Sequence, residues 1–245
     1  TVKVPCYMTD PDGPSGPKGP CDPGAVLNLD GNGVPQQNGF YDARFTCNIP
    51  RSAVDSGTGD VVGAGVRTSM YGHGLFGDYS EVHTRDVRTL GFDHGVMTCA
   101  TDWIGMSEDD VGPVAIPALL DLSDFKPLPA RLRFNRTSVS DSSKPRFYSG
   151  NSQGGIAGGA LTAVATDFTR SVLYVPGMNY STLLTRSVDF DDYAQVLYPS
   201  YPVESDRPLL LTLIQSMWDR GEPDGYANHM TDDPLPGTPA HKVLI

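Results

Sequence analysis

The segment Gly-Asn-Ser-Gln-Gly-Gly at 150–155 constrains the fold of this chain more than any other feature. It matches the pattern G-x-S-x-G, and it lies between a short strand-like run at 146–149 and a helix-like run of small residues. A sharp turn from strand to helix forces its central residue into a strained backbone conformation. A Cβ atom at Gly150 or Gly154 would then collide with the neighbouring strand or helix. The sequence therefore predicts that Ser152 stands clear of a sheet as a nucleophile, in preference to a glycine-rich turn with an incidental serine.

Strand-like and helix-like runs alternate along most of the chain. Apolar and β-branched composition predicts strands at 40–49, 61–71, 95–101, 146–149, 171–175 and 242–245. Strands that alternate with helices predict a mostly parallel sheet with helices on both faces, which is the three-layer α/β architecture. A length of 245 residues fits a single domain of this class, spanning 1–245.

Helices are predicted at 80–90, at 114–121, from the serine turn to about 167, and at 208–221. The first of these has Val82, Val87 and Leu90 on its inward face. The last begins near a proline, which is tolerated in a first turn, and ends at a glycine. Its predicted inner face consists of its apolar residues, namely Leu209, Leu210, Leu213, Ile214 and Met217.

The N-terminal residues, 1–38, are rich in glycine, proline and aspartate, which predicts a loop-rich extension. The chain has four cysteines and no C-x-x-C pair, so their spacing fits neither a zinc site nor a redox motif. We favour two disulfides, which predict a secreted, extracellular protein, over four buried free thiols. The start at Thr1 without an apolar leader agrees with a processed mature form. The cysteines are Cys6, Cys21, Cys47 and Cys99.

Charge and hydropathy exclude some classes of partner. A formal net charge of −11 without a basic stripe argues against nucleic-acid binding. No stretch approaches the about 18 consecutive apolar residues of a membrane span. Oxygen-bearing side chains at Asp10, Asp12, Asp30 and Asn32 lack the twelve-residue calcium loop with its terminal glutamate, so we interpret them as solvated turns. The sequence predicts no metal and no cofactor.

A second segment, YGHGLFG at 71–77, follows the second predicted strand. It resembles the His-Gly oxyanion loop of bacterial lipases and esterases with the α/β-hydrolase fold, where the loop follows the third strand. The resemblance implies that the backbone N–H groups of Leu75 and Gln153 form the oxyanion hole. It also implies that His73 and Gly74 support the loop and that His73 is not the catalytic base. The alternative, a core histidine in a glycine turn, is weak beside the serine turn.

A third segment, DWIGMS at 102–107, resembles the D-x-x-G-x-S turn that follows the fourth strand of the same fold. Asp102 is structural in that turn, so we do not count it as catalytic. The three segments occur in the family's order and span about 61–175. Residues 178–207 fall where the family often inserts a cap, whose tyrosines could line a substrate pocket. An ordinary packed excursion on the surface is an equal alternative for them.

The resemblance also implies how the cysteines pair. In the α/β-hydrolase fold the second and fourth strands are neighbours, which places Cys47 beside Cys99. Cys6 and Cys21 are then left to join each other and to staple the N-terminal extension.

The function implied by the resemblance is that of a serine hydrolase, which cleaves carboxylic esters through an acyl-enzyme on Ser152. Small-molecule, lipid and polyester esters are the expected substrates, and this chemistry requires no cofactor. The extra glycine of G-x-S-x-G-G also occurs in some serine peptidases, which are the alternative within the same fold. A hydrolase-like binding domain without catalysis is the alternative from a different class.

A serine hydrolase also needs a histidine and an acid, which in this family follow the eighth and the seventh strand. The run at 242–245 corresponds to the seventh strand, so we expect both residues beyond Ile245, in a C-terminal part that is missing here. His229 and His241 follow the serine turn, but both are expected at the opposite edge of the sheet. An acid directly after the sixth strand is also excluded, because 176–182 contains none.

Overall fold

The structure is a computed structural model of the chain. It describes residues 1–10, 12, 21–22, 25–60, 62, 66–103, 107–111, 145–219 and 221–245. The predicted helix at 114–121 and the middle of the segment at 102–107 lie outside these residues.

The N-terminal region forms two small antiparallel ribbons beside the main sheet. Strands β1 (Val2–Pro5) and β4 (Phe40–Ala43) make one ribbon, and β2 (Met8–Thr9) and β3 (Val26–Leu27) make the other. A disulfide joins Cys6 to Cys21, and both sulfurs lie in a small buried cluster with Met8 and Ala25. The predicted loop-rich extension stapled by a disulfide is confirmed.

Within the described residues, the main sheet has six strands in the order β10-β9-β8-β6-β7-β5, and all neighbours are parallel except β5 and β7. The bounds are β5 Phe45–Asn48, β6 Arg67–Gly72, β7 Val96–Thr101, β8 Arg146–Asn151, β9 Arg170–Tyr174 and β10 Lys242–Leu244. Cys47 and Cys99 are direct cross-strand partners on β5 and β7 and form the second disulfide. Both predicted pairings are therefore confirmed.

The strand predicted at 40–49 is in fact two strands, which is a correction. Phe40–Ala43 pairs with β1 in the N-terminal ribbon, whereas Phe45–Asn48 pairs with β7 in the main sheet. The chain crosses between the two sheets at Arg44, whose guanidinium forms ion pairs with Asp102 and Asp109. Composition alone predicts one strand here because residues on both sides of the crossing have strand-like character.

The α-helices are α1 (Arg85–His94), α2 (Gln153–Val164), α3 (Tyr180–Leu183), α4 (Asp191–Ser200) and α5 (Asp206–Trp218). The connection from β6 to β7 carries α1 and steps one way along the sheet, whereas that from β8 to β9 carries α2 and steps the other way. Because such crossovers are right-handed, α1 and α2 cover opposite faces. The three-layer α/β-hydrolase architecture, with its second strand antiparallel to its fourth, is confirmed.

The helix predicted at 80–90 begins instead as a 3₁₀ turn at Tyr79–His83, and α1 starts only after an extended residue, Thr84. This break changes which residues of the segment face inward. Val82 is buried as predicted, but Leu90 is 47% exposed, so its assignment to the inward face is wrong.

The inner face predicted for the last helix is wrong at Leu209 and Leu213, whereas Leu210 and Ile214 are half-buried. Leu209 and Leu213 are 62% and 67% exposed, and among the α5 side chains that the structure describes, Leu211 and Gln215 are the most deeply buried. These two residues are one turn apart on a single face, and Gln215 is polar. The pattern of apolar residues does not reveal this face, because one of its two buried residues, Gln215, carries an amide.

Residues 178–207 form α3, α4 and short 3₁₀ turns. Phe190 and Leu197 pack with Leu211 of α5 into a small core of their own. The segment is therefore packed against α5, and its role as a cap over the site stays a prediction.

Candidate active site

Ser152 occupies the sharp turn between β8 and α2. Strand β8 ends at Asn151, helix α2 begins at Gln153, and Ser152 has φ 53° and ψ −118°. A non-glycine residue in such a conformation costs about 1–3 kcal/mol and persists only where its surroundings impose it. Here the Ser152 N–H donates to the carbonyl of Tyr174 at 3.1 Å, which ties the turn to the end of β9. The predicted strained turn with a half-buried serine is present.

The glycines around Ser152 make this conformation possible. A Cβ atom on Gly150 would lie 2.2 Å from the carbonyl oxygen of Gly154, and one on Gly154 would lie 2.2 Å from that of Gly72. A Cβ on Gly155 would lie 2.6 Å from the carbonyl oxygen of Tyr174. Helix α2 therefore approaches the strand ends so closely that only hydrogen fits, as the sequence predicts for Gly150 and Gly154.

Tyr148 supports the turn from below, and the sequence analysis did not identify it. Its ring is fully buried, and its hydroxyl donates to the carbonyl of Gly154 at 2.6 Å. Burial raises the pKa of this phenol well above its ordinary value, so the hydroxyl keeps its proton and remains a donor. The only signal in the sequence is a tyrosine two residues before Gly150, which is too weak to assign a role.

His73 lies at the carboxyl end of β6 with no exposed surface. Its Nε2 accepts the backbone N–H of Trp103 at 2.8 Å, and its Nδ1 lies 2.7 Å from the carbonyl oxygen of Gly74. Because Nε2 is an acceptor, we assign the proton to Nδ1, which donates to Gly74. Both ring nitrogens are engaged, and they join the loop after β6 to Trp103, two residues beyond the end of β7. This geometry agrees with the predicted supporting role and leaves no nitrogen to act as a base.

Glu81 is a second support of this loop that the sequence analysis missed. Its carboxylate accepts the Gly74 N–H at 3.1 and 3.2 Å and the Tyr71 hydroxyl at 3.3 Å. Burial, together with the negative charge of Glu81, raises the pKa of Tyr71. A Cβ atom on Gly77 would overlap the Glu81 carboxylate, so the glycines of the loop make room for this side chain. The spacing from Asp78 to Glu81 matches a helix capping box. The sequence therefore suggests that Glu81 caps a helix, whereas it supports the loop.

The two residues predicted as oxyanion donors belong to segments that adjoin Ser152. Leu75 follows Gly74, and a Cβ atom on Gly74 would lie 4.0 Å from the Cβ of Ser152, so the loop passes directly beside the serine. Gln153 is the first residue of α2, where a backbone N–H has no acceptor within the helix. The structure thus brings the predicted loop, the serine and the helix N-terminus together.

The side chain of Gln153 is buried and directed toward the segment at 178–183. Its Oε1 accepts the hydroxyl of Tyr180 at 2.9 Å, and within the described residues its Nε2 has no hydrogen-bond partner. Burial raises the pKa of Tyr180, which keeps this hydroxyl protonated as a donor. Tyr180 therefore connects the excursion after β9 to the residue that follows the nucleophile.

Asp102 has a structural position, as the resemblance implies. Its Oδ1 accepts the backbone N–H of Tyr79 at 2.8 Å, and its Oδ2 lies 3.2 Å from the Arg44 guanidinium. Burial raises the pKa of Asp102, and these two partners oppose that effect. The carboxylate joins β7 to the 3₁₀ turn that carries Glu81.

None of the chain's five histidines, all of which the structure describes, forms a hydrogen bond with Ser152. His229 contacts the carbonyl oxygen of Asp233 at 2.6 Å. His241 precedes β10, next to Lys242, which pairs with Arg170 at the amino end of β9. Ser152 lies at the carboxyl ends of the strands, so His241 is at the opposite end of the sheet, as predicted. His229 is near it, because the His241 N–H donates to the carbonyl of Met230 at 2.8 Å. The location of the triad acid and base beyond Ile245 stays a prediction.

Comparisons with known proteins give distant structural similarities alone. No protein-family model matches the sequence, and neither does any curated protein at a significant level. Acetyl xylan esterase 1 from Thermoanaerobacterium sp. is 15% identical over 76% of this chain and 68% of that enzyme, with a TM-score of 0.48. S-formylglutathione hydrolase from Staphylococcus aureus is 18% identical over 74% of this chain and 70% of that one, with a TM-score of 0.35.

A fluorophosphonate-binding serine hydrolase F from Staphylococcus aureus is 16% identical over 91% of this chain and 75% of that one, with a TM-score of 0.35. Similarities this low carry no conclusion about reaction or substrate. The fold assignment rests on the strand order and the serine turn. Among the helices described here, none has both the length and the apolar character that a membrane crossing requires. Two disulfides are compatible with an extracellular protein.

Proposed function

We propose that this chain is a serine hydrolase that cleaves carboxylic esters through an acyl-enzyme on Ser152. One observation carries the proposal: the glycine loop after β6 and the N-terminus of α2 meet beside a serine held at φ 53°. Backbone sterics alone do not require a serine at that position, and strain of this kind concentrates at functional sites. The arrangement fits attack on a carbonyl group whose oxygen faces two backbone donors.

In the proposed reaction, the Ser152 hydroxyl oxygen attacks the ester carbonyl carbon and gives up its proton to a base. The carbonyl oxygen becomes an oxyanion, which the N–H groups of Leu75 and Gln153 stabilise. Collapse of this intermediate breaks the bond to the alcohol, which leaves with the proton and generates the acyl-enzyme. Water then attacks the acyl carbon through a second oxyanion, releasing the carboxylic acid and restoring Ser152. The α2 N-terminus favours both oxyanions because its dipole presents positive charge there.

The base and its orienting acid are proposed to come from residues after Ile245. Both ring nitrogens of His73 are already hydrogen-bonded, and His229 and His241 lie at the end of the sheet opposite Ser152. Small-molecule, lipid and polyester esters are the proposed substrates, and the two disulfides support an extracellular location.

Labelling with a fluorophosphonate probe tests this proposal directly. We expect covalent modification of the protein with its natural downstream sequence, and of Ser216→Ala, but none of Ser152→Ala. Ser216 is an exposed serine on α5 and serves as the matched control. Hydrolysis of p-nitrophenyl esters should depend on Ser152 in the same way. Ser152-independent labelling, or no labelling of a folded protein, would overturn the proposal.

A second candidate is a hydrolase-like binding domain without catalysis. The observation that favours it is that none of the five histidines, all of them described, forms a hydrogen bond with Ser152. It predicts that Ser152→Ala leaves both ligand binding and the lack of ester turnover unchanged, whatever sequence follows Ile245.

A further inference from the structure

Away from Ser152, three carboxylates converge on the turn that follows α5. We call residues 219 and 221–225 the acidic turn. Asp219, Glu222 and Asp224 each offer a carboxylate oxygen within 4.8 Å of the other two. A Cβ atom on Gly225 would lie 2.1 Å from the carbonyl oxygen of Asp219, so the chain folds back tightly here. This return brings the three acids together, although they are up to five positions apart in the sequence.

Glu222 has a buried oxygen without a partner. The residue has 0% exposed surface, and its Oε1 accepts hydrogen bonds from Gln215 Nε2 and, at 3.4 Å, from the Tyr180 N–H. Its Oε2 has no partner among the described residues, and no described lysine, arginine or histidine forms an ion pair with any of the three acids. A buried carboxylate without a positive partner is costly.

We propose that Asp219, Glu222 and Asp224 bind a divalent cation, and that this cation is Ca²⁺. The donor set consists of oxygen atoms, which hard cations prefer, whereas zinc favours nitrogen and sulfur ligands. Asp224 is exposed and Asp219 is half-buried, so water can complete the coordination. Ca²⁺ accepts such irregular sets of ligands more readily than Mg²⁺, which demands a near-ideal octahedron.

The position of the site gives the cation a structural consequence. The Tyr180 N–H donates to Glu222, and the Tyr180 hydroxyl donates to Gln153 at 2.9 Å. Asn179 Nδ2 also lies 3.5 Å from an oxygen of Asp224. A cation held by the acidic turn therefore fixes the segment at 178–183 against the start of α2. The three acids act as positioning residues, because none of them contacts Ser152.

A proton is the competing occupant of this site. Burial raises the pKa of Glu222 to about 6, although the hydrogen bonds from Gln215 and the Tyr180 N–H oppose this shift. The negative charges of Asp224 and Asp219 add to it. A neutral Glu222 would need no metal, and this alternative predicts a protein that is indifferent to Ca²⁺.

Thermal unfolding and lanthanide luminescence of the full chain test the site without any measurement of turnover. After chelation with EGTA, we expect Ca²⁺ at about a hundredfold excess over its Kd to raise Tm by about 5 °C. Tb³⁺, which replaces Ca²⁺, should luminesce on excitation of Trp218 and Tyr180, whose rings pack 5.5 Å apart beside the acidic turn. Added Ca²⁺ should displace the Tb³⁺ signal.

Glu222→Gln and Asp224→Asn should each weaken Ca²⁺ binding by about tenfold or more, because each removes a charged ligand. Asp232→Asn is the matched control: it removes one negative charge from an exposed residue that follows the 3₁₀ helix Pro223–Met230, and binding should stay within about twofold. Glu222→Gln should also raise the Tm of the metal-free protein, since it removes a buried charge.

Three outcomes would overturn the proposal: a wild-type Tm that Ca²⁺ does not change, Ca²⁺ binding that survives both substitutions, or an equal loss of binding in the control. Because the readouts are binding and unfolding, failure here leaves the serine hydrolase proposal untouched. Likewise, failure of the serine hydrolase proposal would leave the proposed Ca²⁺ site untouched.

Discussion

The serine turn at 150–155 and the helix α5 with the acidic turn after it are held in place by different forces. In the serine turn, two backbone segments lie so close together that no side chain fits between them. A Cβ on Gly154 would lie 2.2 Å from the Gly72 carbonyl oxygen. The second region is held in place by hydrogen bonds of buried polar side chains. Gln215 accepts the Ser181 N–H at 2.8 Å and donates to Asp219 at 2.7 Å.

The difference determines what the sequence reveals. A steric requirement for hydrogen at two fixed positions leaves a pattern of glycines, and that pattern can be recognised in one sequence. A hydrogen-bond requirement is met by many residue types at many spacings, so it leaves no pattern of its own. The first kind of region is predictable, and the second becomes visible only when the chain has folded.

The largest effect is expected from Gly154→Ala in the serine turn. The added methyl group would collide with the Gly72 carbonyl, and backbone on both sides would have to move. We expect a loss of about 3 kcal/mol or more in the free energy of unfolding, measured by urea denaturation. Gly31→Ala is the control, because a Cβ there meets nothing within 4 Å, and it should change stability by less than about 0.5 kcal/mol. Equal stability of the two variants would mean that close approach is not what the glycine provides.

Most of the sheet and the central site could be predicted from the sequence because their determinants are local. The serine turn and the loop with His73 each leave a motif of seven residues or fewer, and each strand or helix leaves its own short pattern of apolar residues. The cross-strand disulfide from Cys47 to Cys99 needed more, namely the strand order that the family resemblance supplied. Glu81 could not be predicted, because its carboxylate reaches back to Gly74 although its spacing from Asp78 suggests a capping box.

The errors in the two helices have different immediate causes. Thr84 interrupts the helix predicted at 80–90, and the break changes which residues face inward. In α5, a buried amide takes a position that hydropathy assigns to solvent, and Leu213 is 67% exposed as a result. Hydrophobic periodicity reports the face that could be buried, whereas partners elsewhere in the chain decide which face is buried.

A pair of substitutions on α5 tests this account, with an intermediate effect. Gln215→Leu makes the buried face apolar but leaves the Ser181 N–H and the Glu222 carboxylate without their partner. We expect it to destabilise the protein by about 2 kcal/mol. Leu213→Gln should change stability by no more than about 0.5 kcal/mol, because the leucine is exposed. The hydropathy pattern predicts the opposite ranking, so thermal or urea unfolding of the two variants decides between the two assignments of the inner face.

The smallest effect on stability is expected from Glu81→Ala in the loop beside Ser152. The substitution removes the acceptor of the Gly74 N–H and the Tyr71 hydroxyl, which should cost about 1–2 kcal/mol in the free energy of unfolding. It should also lower ester turnover by about tenfold or more, since the loop carries the proposed Leu75 donor and loses its anchor. Both quantities can be measured on one preparation, by urea unfolding and by p-nitrophenyl ester hydrolysis.

Glu108→Ala is the matched control for this variant. Glu108 is an exposed acid whose backbone N–H donates to Gly77 of the same loop, so the substitution removes the same charge without removing an acceptor. Stability and turnover should both stay near the wild-type values. If Glu81→Ala lowers stability but leaves turnover unchanged, the loop is held for the fold alone and Leu75 is not an oxyanion donor. If turnover falls while stability holds, Glu81 supports the proposed Leu75 donor without contributing measurably to the stability of the fold.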